Sequence, residues 1–415
     1  MNVKELIARN RERMEALYNH VDQTERYEMI ADEYRAHFAS EPEMFVSAPG
    51  RIEVVGNHTD HNHGRVLAAS VNLDTVGAVA ATGDSIITVY STGFDTCFRV
   101  DLNDLSVREE EKETTFALIR GVAARLKELG YKIGGFNAMV NSTVFRGSGL
   151  SSSAAFEVML VAAFDALFNG WVIDPKLNAR ISQYAENVYF GKPCGVMDQT
   201  ASAVGGLVSL DFEPEVADVE AIGYDFTAKG YCVCVVSAGG EHGNLSYAYA
   251  SIPTEMKDVA KALGKDVLVS ITPEKLFESI AQLKGKVADR AILRAFHFVD
   301  ETRRVTDAVN ALKADDVNSF FAALIGSGES SWKLLQNLYV PASDNQEIPL
   351  ALEMSHRMLE GKGAWRINGG GFAGTIIAFV PVDMSEKYAN AMNAVFGEKA
   401  TTVLSIRPEG VVYLR

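Results

Sequence analysis

Cysteine is scarce in this 415-residue chain: the four present, Cys97, Cys194, Cys232 and Cys234, form neither paired metal-ligand spacing nor a disulfide framework. Cys232 and Cys234 stand one residue apart in an apolar stretch, where they are expected to pack as thiols, a usage that fits a reducing cytoplasm. Basic residues are also short, 39 Lys and Arg against 54 Asp and Glu. The resulting net charge of −15 argues against a nucleic-acid or anionic-membrane partner. No apolar run approaches a bilayer span. Residues 1–19, with Lys4, Glu5, Arg9, Arg11, Glu12 and Arg13, have no apolar core and read as a solvated amphipathic helix, not a signal peptide. No internal repeat or low-complexity segment is present. Also missing is a Gly-x-Gly-x-x-Gly turn after the first strand with an acidic residue about 20 positions on, which sets a dinucleotide-dependent dehydrogenase aside. His58, His61 and His63 lie close together, but no helical His-x-x-x-His or cysteine pair supports a zinc site there.

What is present begins with Gly147-Ser148-Gly149-Leu150-Ser151-Ser152-Ser153, entered by an alternating apolar strand and left by an apolar helix. Glycines let the backbone turn tightly and bring its N–H groups close to an anion, and the serines open a helix whose free N–H groups and positive dipole end point to the same place. This is the layout of a phosphate cradle, although it lacks the lysine of a Walker loop and is also compatible with a simple serine-capped turn. A hundred residues earlier, Gly50-Arg51 leads through Ile52-Glu53-Val54-Val55 to Gly56-Asn57-His58-Thr59-Asp60-His61-Asn62-His63-Gly64. Such a run of hydrogen-bonding side chains between strand-like segments suits a polyhydroxylated ligand. Cys194-Gly195-Val196-Met197-Asp198-Gln199 sets one carboxylate in a neutral context, and Asn368-Gly369-Gly370-Gly371-Phe372-Ala373-Gly374 supplies a second glycine-rich turn.

Four such segments in this order resemble the galactokinase family of the GHMP kinases, over roughly residues 46–380. In that family the first segment usually reads Gly-Arg-Val-Asn-Leu-Ile-Gly-Glu-His-Thr-Asp-Tyr-Asn-x-Gly, and here Asn57 replaces the glutamate and His61 the tyrosine. The resemblance implies a two-lobed α/β (α+β) fold with the active site in the cleft between lobes, and an ATP-dependent sugar 1-kinase that acts on galactose. It implies Asp198 as general base and Arg51 as its orienting, charge-neutralising partner. Without it, Asp198 reads as a helix N-cap and Arg51 as a surface arginine. Gly147 to Ser153 would hold the phosphates of ATP, with Ser153 and Glu186 as ligands of Mg²⁺; Glu186 alone reads as an exposed helix carboxylate. Asn57, His58, Thr59, Asp60, Gly195 and Tyr249 would contact the sugar, with Tyr247 close enough to compete for the last role, while His58 alone would be a structural histidine. Asparagine at position 57 removes a charge, so a galacturonate-like acid, an amino sugar such as N-acetylgalactosamine, or arabinose stands as an alternative substrate. A non-catalytic sugar sensor is a further alternative, which the intact serine run disfavours. The expected partners are small molecules, to a chain that is monomeric or weakly homo-oligomeric.

With 47% hydrophobic residues the chain can bury two sizeable cores. Hydrophobic periodicity predicts helices at 3–19 and 23–39, strands at 44–47, 65–72, 75–81, 86–90 and 97–100, and a helix at 114–129. The phosphate-loop helix, a helix at 176–187 and a strand at 207–212 complete a first lobe of residues 1–215. Residues 216–415 form the second, with strands at 231–236, 375–380 and 411–414 around several helices.

Overall fold

The computed structural model describes residues 2–144, 149–192, 194–214, 217–239, 246–339, 344–372 and 374–415, with Ser246 by its backbone alone. Gly147 and Ser148 of the expected cradle lie outside the described residues.

Three short helices, α1 (Val3–Arg9), α2 (Arg11–Leu17) and α3 (Thr24–Phe38), precede two long strands, β1 (Met44–Val55) and β2 (Arg65–Ala81). Each long strand replaces shorter predicted pieces. β1 runs on through Pro49-Gly50, where the ladder to β2 shifts register: the step from Pro49 to Arg51 on β1 is matched by the longer step from Asp74 to Ser70 on β2, which bulges. β2 absorbs both of its predicted halves. Next come β3 (Ile86–Ser91), β4 (Phe94–Asp101), α4 (Thr115–Glu128), β5 (Phe136–Ser142), α5 (Ser152–Phe164), α6 (Pro175–Tyr184), α7 (Met197–Val204), β6 (Leu207–Asp211) and β7 (Asp218–Ile222). The second half supplies β8 (Tyr231–Gly239), α8 (Ser246–Ala262), α9 (Pro273–Glu278), α10 (Ile280–Leu283), α11 (Asp289–Lys313), α12 (Val317–Ser330), α13 (Glu347–Leu359), β9 (Ala364–Asn368), β10 (Gly374–Pro381), α14 (Ser385–Phe396), β11 (Thr401–Leu404) and β12 (Val412–Leu414).

Two sheets result. The larger runs β12-β1-β2-β5-β3-β4, with β6 also on β2 and β7 on β6, and the smaller runs β11-β8-β10-β9. Among the described residues every strand pairing is antiparallel except β3 with β5. Strand pairing crosses the boundary expected at residue 215. β7 folds back on β6, and β12, at the far end of the chain, pairs with β1.

Strand alternation sets the layers. Met44, Val46 and Ala48 face a core shared with α4, α5 and α6, while Phe45, Val76, Ala78 and Ala80 face the N-terminal helices. Ile52, Leu67 and Ala69 join Val233, Val235, Ile377 and Phe379 in a third core that binds the two sheets together. Contrary to the sequence expectation, one helical stretch, Ser152–Asn169, is long and apolar enough to cross a bilayer. Most of it is buried in the first core, as the central helix of a globular layer is.

Candidate active site

Arg51 on β1 and Asp198 in the first turn of α7 meet through two parallel hydrogen bonds, Nε to Oδ1 at 2.8 Å and Nη2 to Oδ2 at 2.9 Å. The third arm of the guanidinium, Nη1, donates to the Gly149 carbonyl at 2.6 Å, so one side chain ties the carboxylate to the glycine loop. Arg51 is 6% exposed, which removes the surface-arginine reading. Asp198 lies inside α7 and makes no side-chain cap bond, which removes the N-cap reading. Burial would raise the Asp198 carboxyl, but the Arg51 charge and a hydrogen bond from the Ser151 hydroxyl outweigh it and hold the group below the usual carboxylate range. The carboxylate is thus ionised at neutral pH.

Ser151 precedes α5 in a left-handed conformation and gives its hydroxyl to Asp198 instead of capping the helix. No side-chain cap therefore serves the first-turn N–H groups of α5, at Ser152 and Ser153, among the described residues, and a helix N-terminus in that condition is an anion site. Leu150 takes part only through its backbone: its side chain is buried between the sheets and its carbonyl accepts the Arg51 N–H at 3.0 Å. Ser153 and Glu186 are brought together, Oγ to Oε1 at 3.3 Å. Glu186 is 3% exposed, not a surface carboxylate, and also accepts from Lys192, Cys194 and Gln199.

A cavity of about 220 Å³ opens beside Asp198, lined among others by Arg51, Glu53, His58, Asp60, Lys192, Gly195 and Gly370. A larger one of about 590 Å³ lies between residues 15–20, 204–207, 221–227 and 404–408 and contains none of the expected site residues. Asp60 presents its carboxylate against Gly195 so closely that any β-carbon there would collide with it. His58, with positive φ, directs Nε2–H to the Gly370 carbonyl at 2.9 Å, and burial lowers its pKa to about 3, leaving the ring neutral. Tyr249 donates its hydroxyl to the Gly371 carbonyl at 2.6 Å and packs edge-on against Phe372, so it braces the C-terminal glycine turn, whereas Tyr247 is 82% exposed.

Two expected sugar contacts are not placed for that role. The Thr59 hydroxyl is buried in its own turn against the Gly56 and Arg65 carbonyls. Asn57 has no exposed surface: Nδ2 donates to Glu53 Oε1 at 2.7 Å and to the Gly369 carbonyl at 2.8 Å, and Oδ1 accepts from Asn337 at 2.8 Å and Ser331 at 3.2 Å. Its amide is saturated behind the cavity wall. Sequence reasoning passed over Glu53, Lys192 and Cys194, which line the cavity, and Asn368, which binds the Gly149 carbonyl at 3.0 Å and the Glu53 N–H at 3.0 Å. Strand parity was the available signal for Glu53, which shares a face of β1 with Arg51.

The galactokinase galactose-binding signature matches residues 32–81, and the GHMP kinase N-terminal domain matches residues 117–206. The backbone resembles the crystal structure of Lactococcus lactis galactokinase complexed with galactose, with a TM-score of 0.81 at 23% identity over 93% of this chain and 99% of that one. A mevalonate kinase matches with a TM-score of 0.63 at 15% identity, covering 88% of this chain and 99% of that one. The fold is that of the GHMP kinases. In sequence, the chain is 31% identical to the galactokinase of Streptomyces coelicolor over 389 residues, 91% of this chain and 96% of that one. It is 30% identical to the galactokinase of Glaesserella parasuis over 368 residues, 86% and 91% of the two chains. It belongs to the galactokinase family.

Proposed function

We propose that the protein transfers the γ-phosphoryl group of ATP to the anomeric hydroxyl of galactose, releasing galactose 1-phosphate and ADP. The observation that carries this reading is the Asp198 carboxylate, held ionised by Arg51 at the wall of a polar cavity and joined through Arg51 and Ser151 to the N-terminus of α5. A carboxylate so placed accepts the proton of a sugar hydroxyl as its oxygen bonds to phosphorus. The uncapped first turn of α5 would hold phosphate oxygens, and Arg51 and Lys192 would offset their charge. Asp60 and the backbone at Gly195 would orient ring hydroxyls. The Ser153 hydroxyl and Glu186 carboxylate are hard oxygen donors that fit Mg²⁺, which when bound neutralises charge on the phosphates.

The test is a panel of neutral and acidic sugars incubated with protein and Mg-ATP, scored by ADP release and by the position of the phosphate on the product. Galactose 1-phosphate formation is expected. Binding of sugar and ATP without ADP release would make the protein a sensor.

A further inference from the structure

The family motif places asparagine and then, four residues later, glutamate; this chain carries Glu53 and Asn57 at those places, the same two side-chain types exchanged. The exchange is read in the hydrogen bonds. Asn57 is the inner member, with every amide atom used by protein partners. Glu53 is the outer member. Its Oε1 takes Asn57 Nδ2 at 2.7 Å and Arg366 Nη2 at 3.1 Å, its Oε2 takes no hydrogen bond from the described residues, and the residue lines the cavity. It pairs regularly on β1, Glu53 opposite Ala68 and Arg51 opposite Ser70, so both side chains leave the strand on one face about 6.6 Å apart, two residues of extended backbone.

We propose that Glu53 is a sugar-contacting, specificity-determining residue, accepting a hydrogen bond from a substrate hydroxyl through Oε2 and excluding sugars that carry a carboxylate at that position. The inference rests on the sugar-kinase reading above. The charge that Asn57 lacks is therefore restored one strand register away. Glu53 is held in place for this contact by Arg366, which has no exposed surface and binds its Oε1 and both neighbouring backbone carbonyls, Glu53 O at 3.0 Å and Val54 O at 2.9 Å. A carboxylate locked on one oxygen presents the other without further ordering cost.

The experiment compares the parent with Glu53→Gln and Glu53→Asp, each checked for folding by thermal melting, and measures galactose and galacturonate by steady-state kinetics and calorimetry together with the KM for ATP. Glu53→Gln keeps the shape and removes the charge. It should raise the galactose KM about tenfold, reflecting the loss of a charge-assisted hydrogen bond, leave kcat and the ATP KM nearly unchanged, and shift the preference ratio toward galacturonate. Glu53→Asp keeps the charge beside Arg366 and shortens the reach. It should raise the galactose KM while still rejecting the acid, and it decides the matter if the glutamine variant does not fold. Folded variants whose sugar KM and preference ratio match the parent would overturn the proposal and leave the kinase assignment standing. A parent that prefers galacturonate would also overturn it. If the parent acts on a different neutral sugar, the galactose assignment fails and the same comparison is read on that sugar.

Discussion

Arg51 holds both carboxylate oxygens of Asp198 from 147 positions away in the chain and, with its remaining arm, the carbonyl of Gly149. Only a planar fork makes these three bonds together. Arg51→Lys keeps the charge but offers a single ammonium, so it should lower kcat at least about tenfold, a bidentate charge-assisted pair being replaced by one contact. The Asp198 carboxyl should also move upward, so an acid limb in the rate profile should shift to higher pH than in the parent. Rate profiles of the two proteins check this.

Gly195 lies under the Asp60 carboxylate with no room for a β-carbon, yet its φ is not in the left-handed region. Gly195→Ala should therefore fold and displace Asp60. The expected result is a galactose KM raised about tenfold, equivalent to about 1.4 kcal/mol, with the ATP KM and melting temperature close to the parent. Steady-state kinetics with each substrate varied in turn reads the split.

Asp74 has no exposed surface and is shared by Arg26 at 2.7 Å, Arg407 at 3.1 Å, Tyr18 at 2.5 Å and Ser47 at 2.5 Å, which ties the N-terminal helices and the C-terminal segment to β2. Burial alone would raise its carboxyl, but the two arginines and the hydroxyls lower it. Its folded pKa is below its unfolded one, so its contribution to stability is present above the unfolded value and is lost as pH falls through the folded value. Asp74→Asn leaves the buried Arg407 and the half-buried Arg26 short of charge and should cost about 3–5 kcal/mol. Denaturant titration at pH 7 measures the loss, and the difference from the parent should shrink on acidification below pH 4.

His297 is fully buried between Ser330 and the Asn57 carbonyl, and burial lowers its pKa, as it does for His58. Below the unfolded histidine value near 6.5 the unfolded chain takes up protons more readily than the folded chain, so stability falls with decreasing pH. Melting temperatures should drop from pH 7 to pH 5. His297→Gln should melt lower at pH 7 but lose less over that interval.

The parts of the site legible in sequence are those where a residue type and its backbone requirement coincide. The glycine-serine run before α5, Arg51 after Gly50, and Asp198 opening α7 all signal chemistry through their local pattern. Asn57 did not, because a motif position says nothing about which side of a turn its side chain takes. Here His58, with φ of 57°, turns the chain and leaves Asn57 pointing inward to Asn337 and Gly369. In the fold, β9 escaped notice because Ala-Trp-Arg-Ile-Asn carries a charged residue at its centre, Arg366, whose burial is explained only by Glu53 and the two carbonyls across the chain. β7, Asp-Val-Glu-Ala-Ile, is an exposed acidic edge strand and reads as a linker for the same compositional reason.

The most direct test of the account is Asp198→Asn, which keeps the side-chain shape and removes the proton acceptor. Turnover of galactose should fall about 10²- to 10⁴-fold, the range a general base contributes, while calorimetric galactose affinity stays near that of the parent and the variant remains folded, with a melting temperature lowered by the loss of the charge facing Arg51. Activity within about tenfold of the parent, below the bottom of that range, would contradict the assignment of Asp198 as the base and with it the proposed chemistry of the site.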